Sequence, residues 1–459
     1  MLGRRCFDSC GNRYLIIVAV CGLLLGLGSF AAAQTNNNGF SGNNSAVGGV
    51  SIDGNGVLSA ARIDDLGQLR SLRQQSLDKV PQELNGQVPM RRVSLKGLQA
   101  VLEECIRDKK PLPDAVKCLA GLQRINYVFV YPEKQDIVLV GPGEGWKIDE
   151  RGNVVGISTG RPVMLFDDLL VALRTARDAA NGGITCSIDP SKEGLARMSQ
   201  ELPALTRTGE PQIVASGLER ALGMQRISVR GVPDTSHFAR VLIAADYRMK
   251  RIGMALEPSP VRGLPSYMQL VKPGTRAVVS PRFWLEPKYE AVLRDGEGLG
   301  FALVGASVKA MTEEDFVRQS GNIEHSGKAS AAAQKWTELM TEKYPQLAVA
   351  EPIFGELQNC MELAVVGALV AKERLAEKAG NSFPTLLESS ELKFDVFNSP
   401  KQVDSKASVM KKGRNWIISA SGGVAINSWM IADKAKVDAS VEPVRAKAAA
   451  KESANWWWN

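Results

Sequence analysis

VRGVPDTSHFARVLIAADYRMKRIGMALE, residues Val229 to Glu257, is the stretch from which the rest of the chain can be read. Ile227 to Arg230 has strand character, Gly231 and Pro233 mark a sharp turn, and Asp234, Thr235 or Ser236 is placed to cap a helix opening near His237. At helical spacing Phe238, Val241, Leu242, Ala245, Met249 and Ile252 share one face, which should pack on a sheet. Ile252 to Leu256 then reads as a returning strand. The same order occurs just upstream. A short strand at Pro162 to Leu165 leads to a helix capped by Asp167 or Asp168 and stopped by Gly182-Gly183, and Ile184 to Ile188 returns. Two strand–helix–strand units on a mixed sheet predict an α+β or mixed α/β fold.

Outward from these units the texture changes. Ser94 caps a helix running to Arg107, Pro111 and Pro113 break it, and a second helix reaches Leu122. Tyr127 to Tyr131 and Asp136 to Val140 flank a PEKQ turn as a hairpin. The glycines of Gly141 to Gly145 have neither the spacing nor the following helix of a phosphate-binding loop. From Pro281 the chain is β-rich, with runs at Phe283 to Leu285, Tyr289 to Leu293 and Phe301 to Val304, and the acidic Glu313-Glu314-Asp315 reads as a helix start. Long C-terminal helices follow, one from Lys328 to a stop at Pro345 and one from Pro352 to Lys378, whose LAVVGALVA centre is apolar on every side. Asn415 to Ile431 gives two β-runs about Gly422-Gly423. The segments expected are 34–90 as linker and loose helix, 91–257 as a mixed α/β domain, 258–321 as β-rich, 322–390 as helical, and 391–459 as hairpin and basic tail.

The N-terminus has the pattern of a signal peptide over residues 1–33. Arg4, Arg5 and Arg13 precede an apolar run from Leu15 to Leu27, and Ala31-Ala32-Ala33 offers a cleavage site before Gln34. The apolar run is shorter than a membrane span, Asp8 departs from a twin-arginine signal, and Val20 before Cys21 departs from a lipoprotein signal. Export would carry the chain to the periplasm, the cell surface or beyond, with no transmembrane span after cleavage. The 459 residues are 44% hydrophobic and 23% charged, and their +7 formal charge is interspersed, unlike the concentrated basic patch that nucleic acid requires.

Four cysteines lie beyond residue 33: Cys105, Cys118, Cys186 and Cys360. Cys105 and Cys118, on consecutive helices, are placed to clip a helical hairpin, a short loop whose closure would contribute ~3 kcal/mol. Buried free thiols are the other reading of all four. His237 and His325 are the only histidines, which excludes a multi-histidine metal site, and no metal or cofactor is expected. Walker A, HExxH and CxxC patterns are missing, and Ser76 with Lys79 lacks the companion motifs of a serine–lysine enzyme.

Chemistry therefore points back to the opening helix. His237, Arg240, Tyr247 and Arg251 line the side opposite its apolar face, beside unpaired N–H groups at the helix start, as an anion site or a track for an acidic polymer would require. A solvated basic face gives the same pattern. Cys186 with His237 is the alternative of a nucleophile and base. Trp456, Trp457 and Trp458 offer a partner-binding tail or one that folds back on its own protein.

Four blocks together resemble an exported planctomycete-type family catalogued only as a domain of unknown function. They are Leu119–Trp146 (LAGLQRINYVFVYPEKQDIVLVGPGEGW), Thr159–Arg174 (TGRPVMLFDDLLVALR), His237–Met254 (HFARVLIAADYRMKRIGM) and Glu351–Val370 (EPIFGELQNCMELAVVGALV). The resemblance implies an exported protein and carries no activity, ligand or catalytic residue. The expectation is a non-catalytic envelope or surface protein that binds another envelope protein or an acidic polymer, or serves as a structural component. The alternatives are a hydrolase-type enzyme with its site near His237 and a periplasmic small-anion binding module.

Overall fold

Two large sheets hold most of the strands of this α+β protein, and each draws on distant parts of the chain. The computed structural model describes residues 50–53, 55–60, 71, 79–272, 280–317, 320, 322–325, 327–412, 415–417, 421–449 and 458. The expected signal peptide, residues 34–49 of the linker and most of the loose helix lie outside these residues.

The larger sheet runs, in spatial order, β1 (Val50–Ile52), β2 (Val57–Ala60), β15 (Gln402–Asp404), β9 (Met224–Arg230), β8 (Ile184–Pro190), β18 (Ser421–Ile426), β10 (Ser280–Lys288), β13 (Ser307–Val317) and β14 (Ile323–His325). Its neighbours are antiparallel except β2 with β15 and β10 with β18. The smaller sheet runs β19 (Lys436–Val437), β11 (Ala291–Arg294), β12 (Gly300–Val304), β4 (Tyr127–Tyr131), β5 (Asp136–Gly143) and β3 (Val88–Ser94). Two-stranded ribbons join β6 (Trp146–Ile148) to β7 (Val154–Gly156) and β16 (Met410–Lys412) to β17 (Asn415–Ile417). The expected segments 91–257, 258–321, 322–390 and 391–459 therefore interleave, because strand partners far apart in sequence leave no local trace.

The longer helices are α1 (Leu95–Asp108), α2 (Phe166–Thr175), α3 (Lys192–Arg207), α4 (Pro211–Leu222), α5 (His237–Gly253), α6 (Ala331–Ala350), α7 (Pro352–Lys372) and α8 (Val441–Ala449). The apolar α7 is the axis of the molecule and packs against α2, α5, α6 and the short helix Ser428–Ala432. By length and composition it could cross a membrane, but here nearly all of it is buried within the protein. Its polar residues are used inside. Glu362 accepts from Arg124 Nε at 2.5 Å and Ile125 N at 3.0 Å, and Asn359 Nδ2 donates to the Pro162 carbonyl at 3.2 Å. At Gly367 the α7 backbone lies so close to α2 that a Cβ would sit 2.3 Å from the Ala172 carbonyl oxygen. The smaller sheet is covered by α8, where Val441 and Ala448 meet Phe129, Tyr131 and Val140.

Several local expectations hold. Ser94 caps α1 through the Gly97 N–H, and β4 and β5 form the hairpin. Others give way to packing. Val50 to Ile52 and Val57 to Ala60 pair as a hairpin instead of continuing the Asn/Gly linker, since Val50, Ile52 and Leu58 are buried by the sheet. Pro162 to Leu165 is a connection with a single bridge from Pro162 to Val155, and α2 opens from Leu165 without a side-chain cap, leaving Asp167 and Asp168 in its first turn. Ile252 is the last turn of α5, because Ile252 and Gly253 are buried and a Cβ at Gly253 would meet Trp336. The acidic run Glu313 to Asp315 belongs to β13, where alternate residues Val308 and Ala310 are buried and the strand pairs with β10 along its length. Pro345 lies inside α6, which continues because Leu347 and Ala348 are buried. The last helix breaks at Arg374, whose φ is 54°, before resuming as Leu375–Ala379. Gly422 and Gly423 lie within β18, where a Cβ at Gly423 would come 2.2 Å from the Cys186 carbonyl oxygen.

Cys105 and Cys118 are buried free thiols, as are Cys186 and Cys360, so the expected clip between the first two is not formed. Cys105 ends an α1 face that is turned to the core, and Cys118 is wholly enclosed where the short helix Asp114–Lys117 ends.

Arg174 shows how an irregular segment is held. Its guanidinium donates to the carbonyls of Thr385, Leu386, Ser389 and Leu392 at 2.8 to 3.1 Å, pinning residues 384–392 to the end of α2.

Candidate functional site

Ser236 sets the start of α5. Its Oγ accepts from the Ala239 N–H at 3.1 Å and donates to the Pro233 carbonyl at 2.6 Å, fixing the turn and the first helical residue together. His237 is that residue. Its Nδ1 lies 3.0 and 3.1 Å from the two carboxylate oxygens of Asp168, in the first turn of α2. Glu356 and Cys360, one turn apart on α7, complete the cluster, with the Asp168 and Glu356 charges acting on the Cys360 thiol. Glu356 Oε2 is buried without a partner. Three helices thus meet at one polar point.

Their charges shape one another. Burial disfavours the charged imidazole of His237, but the Asp168 charge and hydrogen bond, with Glu356 and Asp167, outweigh it and raise its pKa to about 9. Burial pushes Glu356 up to about 7 and Asp167 up to about 6, partly offset for both by His237. The cluster can hold and release protons around neutrality. Cys360 is a poor nucleophile, because burial and the neighbouring carboxylates push its thiol well above the ordinary value.

The expected anion face is differently arranged. Arg251 Nε donates to Glu257 at 2.9 Å and lies over the Tyr247 ring at 5.5 Å. Arg248 bridges Glu257 and Glu351 at 2.7 and 3.0 Å, and Arg151 also binds Glu351. His237 belongs to Asp168, and Lys250 is bound to Asp246 at 2.9 Å and to the Ile188 carbonyl at 3.1 Å. Arg240 is the exception. It is 2% exposed, its guanidinium lies 4.6 Å over the Phe397 ring, and its Nε and Nη2 have no hydrogen-bond partner. Burial pulls its pKa down to about 10. The four expected anion-binding residues therefore do not form an open cationic stripe, because α5 is enclosed on its polar side as well as its apolar one.

A buried cation without a carboxylate costs desolvation and recovers little. Arg240→Met, which keeps the volume and the contact with Phe397, should leave stability within about 1 kcal/mol of wild type or raise it. A denaturant midpoint showing a loss above about 2 kcal/mol would mean the guanidinium has a partner in solution.

Cys186 is not beside His237. It lies in β8, where its charged neighbours are Asp246, Lys250 and Asp189 and burial pushes its thiol well above the ordinary value. The residues that do gather at His237, namely Asp168, Glu356 and Cys360, escaped the sequence reading. A signal was present in α7, where Glu356, Gln358, Asn359 and Glu362 interrupt an otherwise apolar helix. Trp456 and Trp457 lie outside the described residues. Trp458 forms an antiparallel bridge with Val93 on β3, the edge of the smaller sheet, so the tail returns to its own protein there. Among the described residues no group of three or more His, Cys, Asp or Glu side chains is arranged to hold a metal ion.

Residues 186–267, from Cys186 in β8 through α5 to Tyr267, match a family described as Protein of unknown function (DUF1598). No curated protein and no solved structure matches the chain.

Proposed function

We propose that this is an exported protein of the cell envelope or surface that acts by binding or as a structural component. The observation that carries this reading is the fate of the charges on α5. His237, Arg248, Lys250 and Arg251 are each paired with a carboxylate of the protein itself, and two of these pairs, His237–Asp168 and Arg248–Glu351, fasten α5 to α2 and to the start of α7. Export is supported by the basic, apolar and small-residue pattern of residues 1–33. Mass spectrometry of the protein recovered outside the cytoplasm should find an N-terminus at Gln34. An intact N-terminus on cytoplasmic protein would overturn the export reading.

A hydrolase-type enzyme is the second reading, and one observation favours it. Glu356, raised to about 7, adjoins the His237–Asp168 pair, and displaced pKa values gather at catalytic sites. A panel of chromogenic ester, glycoside, peptide and phosphoester substrates distinguishes the two. Turnover abolished by both His237→Gln and Glu356→Gln, in variants that still fold, would transfer the assignment to the enzyme. A small-anion module is the third reading, resting on the unpartnered nitrogens of Arg240.

A further inference from the structure

Away from α5, a groove of about 340 Å³ opens where β10 turns into β11, between the two sheets, and is closed on its other side by the short helix Ser428–Ala432 and β19. Three features coincide there. The first is an open strand edge. Among the described residues β19 is the terminal strand of the smaller sheet and pairs only with β11, so its outer backbone groups can receive another strand. The second is apolar exposure. Met430, in the groove wall, and Val437, on β19, are 51% and 63% exposed, and large apolar side chains so open beside a cleft mark contact surfaces better than scattered ones do.

The third feature is charge. Lys288, Lys434 and Lys436 are exposed at the groove and form no ion pair among the described residues. The opposing acids are largely spent. Glu286 is held by Lys309 at 3.1 Å and by Trp284 Nε1 at 2.7 Å, and Asp433 is paired with Lys372. Among the described residues lining the groove, Glu290 alone remains to oppose the three lysines. Lysines on a sheet edge repel neutral or basic strands, so this edge selects by charge the strand it will accept.

We propose that this groove docks an extended acidic segment of a partner protein, which adds a strand along β19, sets its carboxylates against Lys288, Lys434 and Lys436, and places an apolar side chain against Met430. The proposal rests on the binding reading above and names the chemistry of the partner. A purely electrostatic ligand, such as an acidic polysaccharide, would use the lysines but neither the strand edge nor Met430.

The test is fluorescence anisotropy with the mature chain and a labelled peptide of alternating Glu and Leu. Saturable binding that weakens with added salt is expected, and a Lys–Leu counterpart should not bind. Lys434→Glu with Lys436→Glu should weaken binding at least about tenfold, and Met430→Ala should weaken it by a smaller factor that salt does not alter. All three positions are exposed, so unchanged thermal midpoints would show that these variants still fold. A proline-interrupted acidic peptide, which cannot add as a strand, should bind at least about tenfold more weakly. The proposal is overturned if nothing binds at low salt, or if the proline-interrupted peptide or polyglucuronate binds as well as the strand-forming one. A negative result here with a correctly exported chain removes the groove and leaves the binding reading, whereas His237-dependent turnover removes the binding reading itself.

Discussion

Gly367→Ala is expected to lose about 2–4 kcal/mol of stability, and Gly367→Leu to leave the protein insoluble or unfolded. The usual effect of this change in a helix is the opposite, since alanine favours the helix over glycine by about 1 kcal/mol. The sign of the result is therefore diagnostic. A Cβ at this position would lie 2.3 Å from the Ala172 carbonyl oxygen and 2.9 Å from its carbon, and both belong to the α2 backbone. A side chain can rotate away, but a helix carbonyl cannot move without giving up its own hydrogen bond. Gly296→Ala is the control, because a Cβ there meets nothing within 4 Å. Denaturant midpoints of both variants decide the matter. A Gly367→Ala protein at least as stable as wild type would mean that α7 and α2 are farther apart than described.

Asp168→Asn is expected to cost about 3 kcal/mol near pH 6 and to flatten the dependence of stability on pH. Four buried groups have raised values in the folded state: His237 to about 9, Glu356 to about 7, and Asp167 and Asp246 to about 6. Their ordinary values are 6.5, 4.5 and, for both aspartates, 3.8. In each case the folded protein holds the proton more tightly than the unfolded chain. The contribution is complete below the ordinary value and is lost as pH rises through the folded one. For His237 that window is 6.5 to about 9, and for Glu356 it is 4.5 to about 7. Stability from these groups should accordingly decline from mildly acidic to alkaline pH. Without the Asp168 charge, His237 keeps its burial and loses its main support, so the decline between pH 6.5 and 9 should become shallow. Denaturation midpoints across this range test the claim, and an unchanged slope in Asp168→Asn would refute it.

Local periodicity made part of this fold legible. Phe238, Val241, Leu242, Ala245, Met249 and Ile252 do form a buried face, Ser236 is the cap, and the centre of α7 is a buried axis. These features are written within a few turns of chain. The polar side of α5 was misread because Arg240, Asp246 and Lys250 look solvated in sequence and are enclosed in the fold, by elements remote along the chain. Asp168, Glu356 and Cys360 were missed for the same reason, since each is an ordinary residue of its own helix until the three helices meet. The acidic run on β13 misled because acidic residues favour helix starts, while only the pairing with β10 shows that the stretch is extended.

The strand order of the larger sheet also governs how the molecule can be made. β18 fills the slot between β8 and β10, and β15 fills the slot between β2 and β9, yet both are synthesised after every other strand of that sheet. A nascent chain that has not yet delivered residue 402 has two open slots in its central sheet, and one that has not reached residue 426 still has the slot between β8 and β10, each lined with unsatisfied backbone groups. Completion must wait for the C-terminal region, which makes for slow, non-local folding and leaves the chain threadable throughout synthesis. For the exported protein proposed above, that delay would keep the chain able to pass a membrane unfolded. The same delay means that shortening the chain before residue 426 removes the keystone of the sheet as well as its end.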